Sequence, residues 1–134
     1  MASIRKEISV RASVEQVWDA MRDIGALHTR LVPGFVVNTE SDPGARVVTF
    51  ANGRVVRERI ISIDDEDRRF AWSATGVRLA HHKGAAQVIE NLDGSARIVW
   101  TADLLPDTAA TTVNEIMDQG MSAMKAALNQ PAEM

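Results

Sequence analysis

At 134 residues with 46% hydrophobic side chains, the chain is long enough to bury one core, and a single domain over 1–134 is expected. A formal net charge of -3 and a pI near 5.6 offer nothing to phosphate backbones or anionic lipid, and the aromatics do not interleave with basic residues, so nucleic acid is not an expected partner. The absence of cysteine removes disulfides, thiolate catalysis and Cys-ligated zinc together. Met1 to Glu7 carries no apolar run behind its charges, and no later window approaches a membrane span. The expectation is a cytoplasmic protein without membrane insertion, monomeric or homodimeric.

Ser3 to Arg11 alternates, with Ile4, Ile8 and Val10 on one side, the period-2 signature of a half-buried strand; Lys6 interrupts the apolar side. Ser13-Val14-Glu15-Gln16 forms a capping box that starts a short helix at Val14, carrying Val14, Val17, Trp18 and Met21 inward and stopping near Asp23 to Gly25. A second helical piece, Ala26 to Leu31, ends before Pro33-Gly34. From Phe35 the pattern is a meander of strands. Asp42-Pro43-Gly44 makes the first turn and Asn52-Gly53 joins Arg46–Ala51 to Arg54–Ile63. The acidic run Asp64 to Asp67 lacks the spacing and glycine of a calcium loop and is a solvated turn. Arg69 to Thr75 is a strand with Phe70, Trp72 and Ala74 on one side, and Asp93-Gly94 joins His81–Leu92 to Ser95–Leu104. Last comes Asp107 to Leu128, where Val113, Met117, Gly120/Met121, Met124 and Leu128 recur at helical spacing. A helix of that length spans about 33 Å, enough to lie across a whole sheet.

A two-residue turn at Asp93-Gly94 sets Ile89 opposite Ile98, Gln87 opposite Trp100 and Ala85 opposite Ala102, the more apolar set and hence the helix-facing one. The same logic at Asn52-Gly53 puts Val47, Thr49, Val56, Glu58 and Ile60 on one face, and Val48, Phe50, Val55, Arg57 and Arg59 on the other. Glu58 is assigned inward, because two buried arginines cost more than one carboxylate.

The run Ile8-Ser9-Val10-Arg11-Ala12-Ser13-Val14-Glu15-Gln16-Val17-Trp18 resembles the opening of START/Bet v 1-like (SRPBCC) proteins, in the polyketide cyclase/dehydrase and lipid-transport branch. Further similarity lies in Leu31-Val32-Pro33-Gly34-Phe35, in Val56-Arg57-Glu58-Arg59-Ile60 and in Trp100-Thr101-Ala102. The resemblance implies an α+β helix-grip fold: a curved seven-stranded antiparallel sheet in the order β-α-α-β6-α, wrapped around a long C-terminal helix. It also implies a cavity between sheet and helix for a hydrophobic small molecule that is polyketide-, lipid- or aromatic-like. Three outcomes follow from it: cyclase/dehydratase-type activity, a non-catalytic carrier or sensor, or an interaction module like the chaperone co-factors of the superfamily. The superfamily carries no shared catalytic signature, so fold analogy does not choose among them.

The candidate ligand-binding residues are Trp18, Phe35, Trp72, His82, Gln87, Trp100, Met117, Met121 and Met124. The three methionines, at i, i+4 and i+7, either fill core space or make a plastic ligand wall. Trp18 has the stronger claim to be a core anchor, and Trp100 the stronger claim to touch a ligand. Gly120, costly inside a helix, implies close packing or room for a ligand. His81 and His82, adjacent on a strand, face opposite ways and cannot chelate one ion together; His82 is the inward candidate, though a bulge near Gly84 would reverse that. Glu58 and His28 are the candidates for proton transfer, against an ion pair for Glu58 and a surface or capping role for His28. No phosphate loop, metal-ligand cluster or Ser-His-Asp arrangement is legible, and neither a metal nor a cofactor is expected.

Overall fold

The computed structural model describes residues 1–75 and 79–129. Its elements follow the expected order: β1 (Ala2–Val10), α1 (Val14–Arg22), a 3-10 turn (Ile24–Ala26) and a π-helical turn (Leu27–Leu31), then β2 (Val36–Asp42), β3 (Ala45–Phe50), β4 (Val55–Asp64), β5 (Arg69–Thr75), β6 (His81–Glu90), β7 (Ala96–Leu105), and finally a 3-10 turn (Asp107–Ala109) leading into α2 (Ala110–Leu128). The strands form one antiparallel sheet in the order β1-β7-β6-β5-β4-β3-β2, so every neighbour is a hairpin partner except β1, which closes against β7. This is the helix-grip architecture, with α2 lying across the concave face.

Local chemistry explains where the elements begin and end. Ser13 Oγ accepts from the Gln16 amide at 3.1 Å while Gln16 Oε1 accepts from the Ser13 amide at 3.0 Å, the reciprocal cap that frees α1 from the preceding strand. Along α1 the buried residues are Val14, Val17, Trp18, Ala20 and Met21, one face of an amphipathic turn set. Between β4 and β5, Asp64 Oδ1 accepts from the amides of Glu66 and Asp67, both at 3.0 Å, so the acidic run folds as a self-bonded turn. Lys6, the anomaly on the inner side of β1, lies under α2 and reaches Asp118 at 2.9 Å, its stem covered and its ammonium paired. The far end of α2 is tied to β1 by Asn129, whose Oδ1 accepts from the Arg11 amide at 2.7 Å.

Both glycine hairpins depart from the two-residue turns expected of Asn-Gly and Asp-Gly. Phe50 donates to the Arg54 carbonyl and Asn91 to the Ser95 carbonyl, so each loop holds three residues, with Gly53 and Gly94 at φ 88° and 87° in the left-handed region. Asn-Gly and Asp-Gly suit this loop as well as the shorter one, because both demand a positive φ at the glycine. The extra residue shifts the pairing by one, and a one-residue shift exchanges the faces. Val88, not Ile89, pairs with Ile98, and Ala86, not Gln87, pairs with Trp100. In the same way Val48 pairs with Val56 and Arg46 with Glu58. Phe50, Val48 and Arg46 therefore share the inner face with Val56 and Glu58, while Val47 and Thr49 face out. The inward assignment of Glu58 stands, and so do the outward ones of Arg57 and Arg59.

The main core gathers α1, the helical turns, the inner face of β3 to β7 and the C-terminal half of α2, including Met121 and Met124. A smaller cluster of Ala102, Leu104, Val113 and Met117 lies under the N-terminal half of α2. Burying each of these α2 side chains is worth about 2 kcal/mol relative to exposure.

Candidate functional site

Between the concave sheet and α2 the packing leaves a cavity of about 450 Å³, within the size range of small-molecule sites. Every aromatic side chain of the protein except Trp18 lines it. Phe70, Trp72 and Trp100 form a ladder across β5 and β7, with ring centroids 5.5 Å and then 6.4 Å apart, and Phe35 meets Phe50 edge-on at 5.3 Å. Two glycines seat the indoles. A Cβ on Gly84 would stand 2.5 Å from Trp72 Cζ2, and one on Gly120 would stand 2.8 Å from Trp100 Cζ3, so each ring occupies space that a side chain would otherwise take. The cost of Gly120 within α2 is thus accounted for by its contact with Trp100.

The polar groups facing this apolar space are few. Arg46 Nε donates to Glu58 Oε1 at 2.8 Å across the β3–β4 pair, the side chains being only 6% and 11% exposed. Arg46 also donates to the Ile24 carbonyl at 3.4 Å, and its guanidinium lies 5.0 Å from the centre of the Phe70 ring. The charge is therefore compensated from three sides, as a buried ion pair requires. His82 Nδ1 and Trp100 Nε1 are buried and have no hydrogen-bond partner among the described residues. Burial pushes the His82 imidazole below its ordinary 6.5; the Glu58 carboxylate pulls the other way and His81 adds to the lowering. The ring is neutral at pH 7.

The exposed residues of the lining are Ala51, Asn52 and Arg54 of the β3–β4 loop and Thr112 and Gln119 of α2, and these mark its opening.

Of the residues singled out from the sequence, Phe35, Glu58, Trp72, His82, Trp100, Met117 and Met124 line the cavity. Met121 is buried in the main core but outside the lining. Trp18, on the buried face of α1, donates its indole N–H to Asp65 Oδ1 at 2.9 Å, joining Arg22 in holding the β4–β5 turn. Gln87 faces away, its amide donating to the Asp67 carbonyl at 3.1 Å, a consequence of the shifted β6–β7 register. His28 lies outside the lining, its Nδ1 3.1 Å from the Thr39 hydroxyl. Sequence reasoning did not reach Arg46 or Phe50. The correct loop length at Asn52-Gly53 would have found both, since it places them on the side of Glu58. Among the described residues no group of histidines and carboxylates is arranged to hold a metal ion, and no helix is long and apolar enough to cross a membrane.

No curated protein matches the chain in sequence. Among solved structures, an uncharacterised protein from Bacillus thuringiensis superposes with a TM-score of 0.85 at 19% identity, covering 96% of this chain and 100% of that one. A START superfamily protein from Mycobacterium smegmatis gives 0.74 at 10% identity over 94% and 96% of the two chains. Norcoclaurine synthase from Thalictrum flavum, solved in complex with dopamine and hydroxybenzaldehyde, gives 0.71 at 21% identity over 96% and 84%. At these identities the likeness is one of fold. Sequence carries the assignment further: the family model for polyketide cyclase/dehydrase and lipid transport matches residues 1–129, the stretch from β1 to the Asn129 clamp, and the chain belongs to that family.

Proposed function

We propose that the protein binds a hydrophobic, aromatic- or acyl-containing small molecule in the cavity between the sheet and α2, and that the ligand presents a hydrogen-bond acceptor to its interior. The observation that carries this reading is a cavity of about 450 Å³ lined by Phe35, Phe50, Phe70, Trp72 and Trp100, with Trp100 Nε1 and His82 Nδ1 left without partners among the described residues at its wall. Leaving a polar atom buried without a partner costs about 1–3 kcal/mol, and a turn of the Trp100 ring toward a ligand oxygen would recover it. Phe35, Trp72, Trp100, Met117 and Met124 supply the apolar wall, with Phe50 and Phe70 beside them. A fold neighbour that takes dopamine and hydroxybenzaldehyde is in keeping with aromatic cargo.

A second reading, proton transfer of the cyclase/dehydratase type, draws support from His82. A neutral imidazole facing the cavity is suited to exchanging a proton with a ligand, whereas Glu58 is held by Arg46 and His28 by Thr39.

Native mass spectrometry of the protein purified from its own host, followed by organic extraction, tests the binding reading; a co-purifying apolar compound is expected. Titration with N-phenyl-1-naphthylamine gives the direct measurement. Saturable fluorescence enhancement is expected, and Val56→Trp, which places an indole in the hollow, is expected to abolish it. Absence of saturable binding with an intact far-UV spectrum and melting transition refutes the reading. With a recovered ligand in hand, His82→Gln separates the two modes: carriage predicts altered affinity alone, catalysis predicts loss of conversion.

A further inference from the structure

The charged residues of the cavity lining are not balanced. Within it, Arg46 and Glu58 neutralise one another and His82 is uncharged, which leaves Arg54 as the excess, one positive charge in a protein whose net charge is -3. Arg54 stands at the opening. Its backbone is fixed by the β3–β4 loop, the amide donating to Asn52 Oδ1 at 2.9 Å and the carbonyl accepting from Phe50 at 2.8 Å. Its guanidinium makes no hydrogen bond or ion pair with any described residue, while Arg46, the other cation of the lining, is engaged by Glu58. The acids of the facing helix do not answer it: Glu115 and Asp118 lie outside the lining, and Asp118 is already paired with Lys6 at 2.9 Å. Thr112, in the first turn of α2, is an exposed residue of the same lining, at the end of the helix where the backbone dipole is positive.

We infer that the ligand is an amphipathic anion: an apolar body occupies the aromatic hollow, and a carboxylate or comparable acidic group stays at the opening, bound by Arg54. This rests on the binding reading above and specifies its substrate class. The arrangement suits such a molecule on two counts. The acid keeps part of its hydration, so it does not bear the desolvation that a second buried charge would, and the planar guanidinium offers paired donors to two oxygens. It also orients the cargo, since an acid that cannot enter fixes which end of the molecule reaches Trp100 and His82.

Two probes that share a ring system separate the inference from the reading beneath it. N-phenyl-1-naphthylamine is neutral, and 8-anilinonaphthalene-1-sulfonate carries an added sulfonate. Both are expected to bind and to displace one another, the sulfonate about fivefold more tightly at low salt, the worth of one partly exposed charge pair. That preference is expected to fade at about 0.5 M salt. Arg54→Gln, an exposed loop substitution whose folding is checked by its melting transition, is expected to bring the ratio of the two affinities to about one, and Arg54→Glu to invert it. Equal affinities in the native protein, or a ratio unmoved by Arg54→Gln, overturn the inference and leave the cavity reading intact. Sulfonate binding that the neutral probe cannot displace also overturns it, because the anion then sits elsewhere. Failure of both probes to bind overturns the reading on which the inference depends.

Discussion

Glu58→Ala is the sharpest perturbation of the site, because it strands a buried cation. Arg46 keeps its contact with the Ile24 carbonyl and the Phe70 ring but loses the one anionic partner it has among the described residues, at a site where it is 6% exposed. Removing one member of a buried pair costs about 3–5 kcal/mol, and the lower figure applies because the cavity lets water approach. For a chain of this length about 3 kcal/mol lowers the melting temperature by about 10 °C. The double substitution Arg46→Met/Glu58→Leu removes both charges while keeping volume, and is expected to return to within about 1 kcal/mol of the native protein. Urea unfolding followed by tryptophan emission measures all three proteins, with an unchanged slope required for comparison. If Glu58→Ala costs less than about 1 kcal/mol, as for an exposed pair, or if the double variant is no better than the single one, the account of this pair as a buried, mutually dependent unit is refuted.

Gly84→Ala is expected to lose about 1–3 kcal/mol, since the added methyl meets the Trp72 ring at 2.5 Å, and to shift the tryptophan emission. Gly120→Ala should cost less under the same urea assay, because about 1 kcal/mol of helix propensity offsets its contact with Trp100. For His82, the unfolded chain takes up a proton near the ordinary 6.5 and the folded chain only at lower pH. Between those values the unfolded state binds more protons, so stability falls on acidification; His82→Gln should remove that part of the slope in a pH series of unfolding curves. Hydrogen bonds from Arg22 and Trp18 hold the Asp65 carboxyl below its ordinary 3.8, so its contribution is present above that value and lost as pH falls through the folded one. The gap in melting temperature between Asp65→Asn and the native protein is therefore expected to close on acidification below about pH 4.

The order of elements was legible because each was marked by local chemistry. Ser13 with Gln16 announced α1, Asp42-Pro43-Gly44 the first reversal, and the spacing of Val113, Met117, Met121 and Met124 the buried face of α2. Facing was harder. Gly53 and Gly94 satisfy two loop lengths equally well, and the choice between them decides whether Phe50 and Gln87 look inward or outward. Arg46 was hidden for a different reason: a cation in an alternating strand resembles a solvent-facing residue, and only its cross-strand partner makes burial tolerable. That partnership is a property of register, not of composition. Phe35, Trp72 and Trp100 were easier, because large aromatic side chains in a protein with so few of them have little choice but the interior.

The neighbouring indoles of Trp72 and Trp100, 6.4 Å between ring centres, are near enough for their electronic transitions to couple. Trp18, on α1 and tied to Asp65, stands outside the hollow. The molecule thus carries a built-in optical gauge: near-ultraviolet circular dichroism would report a ligand proposed for the hollow through the coupled pair, with Trp18 contributing a background and no label required.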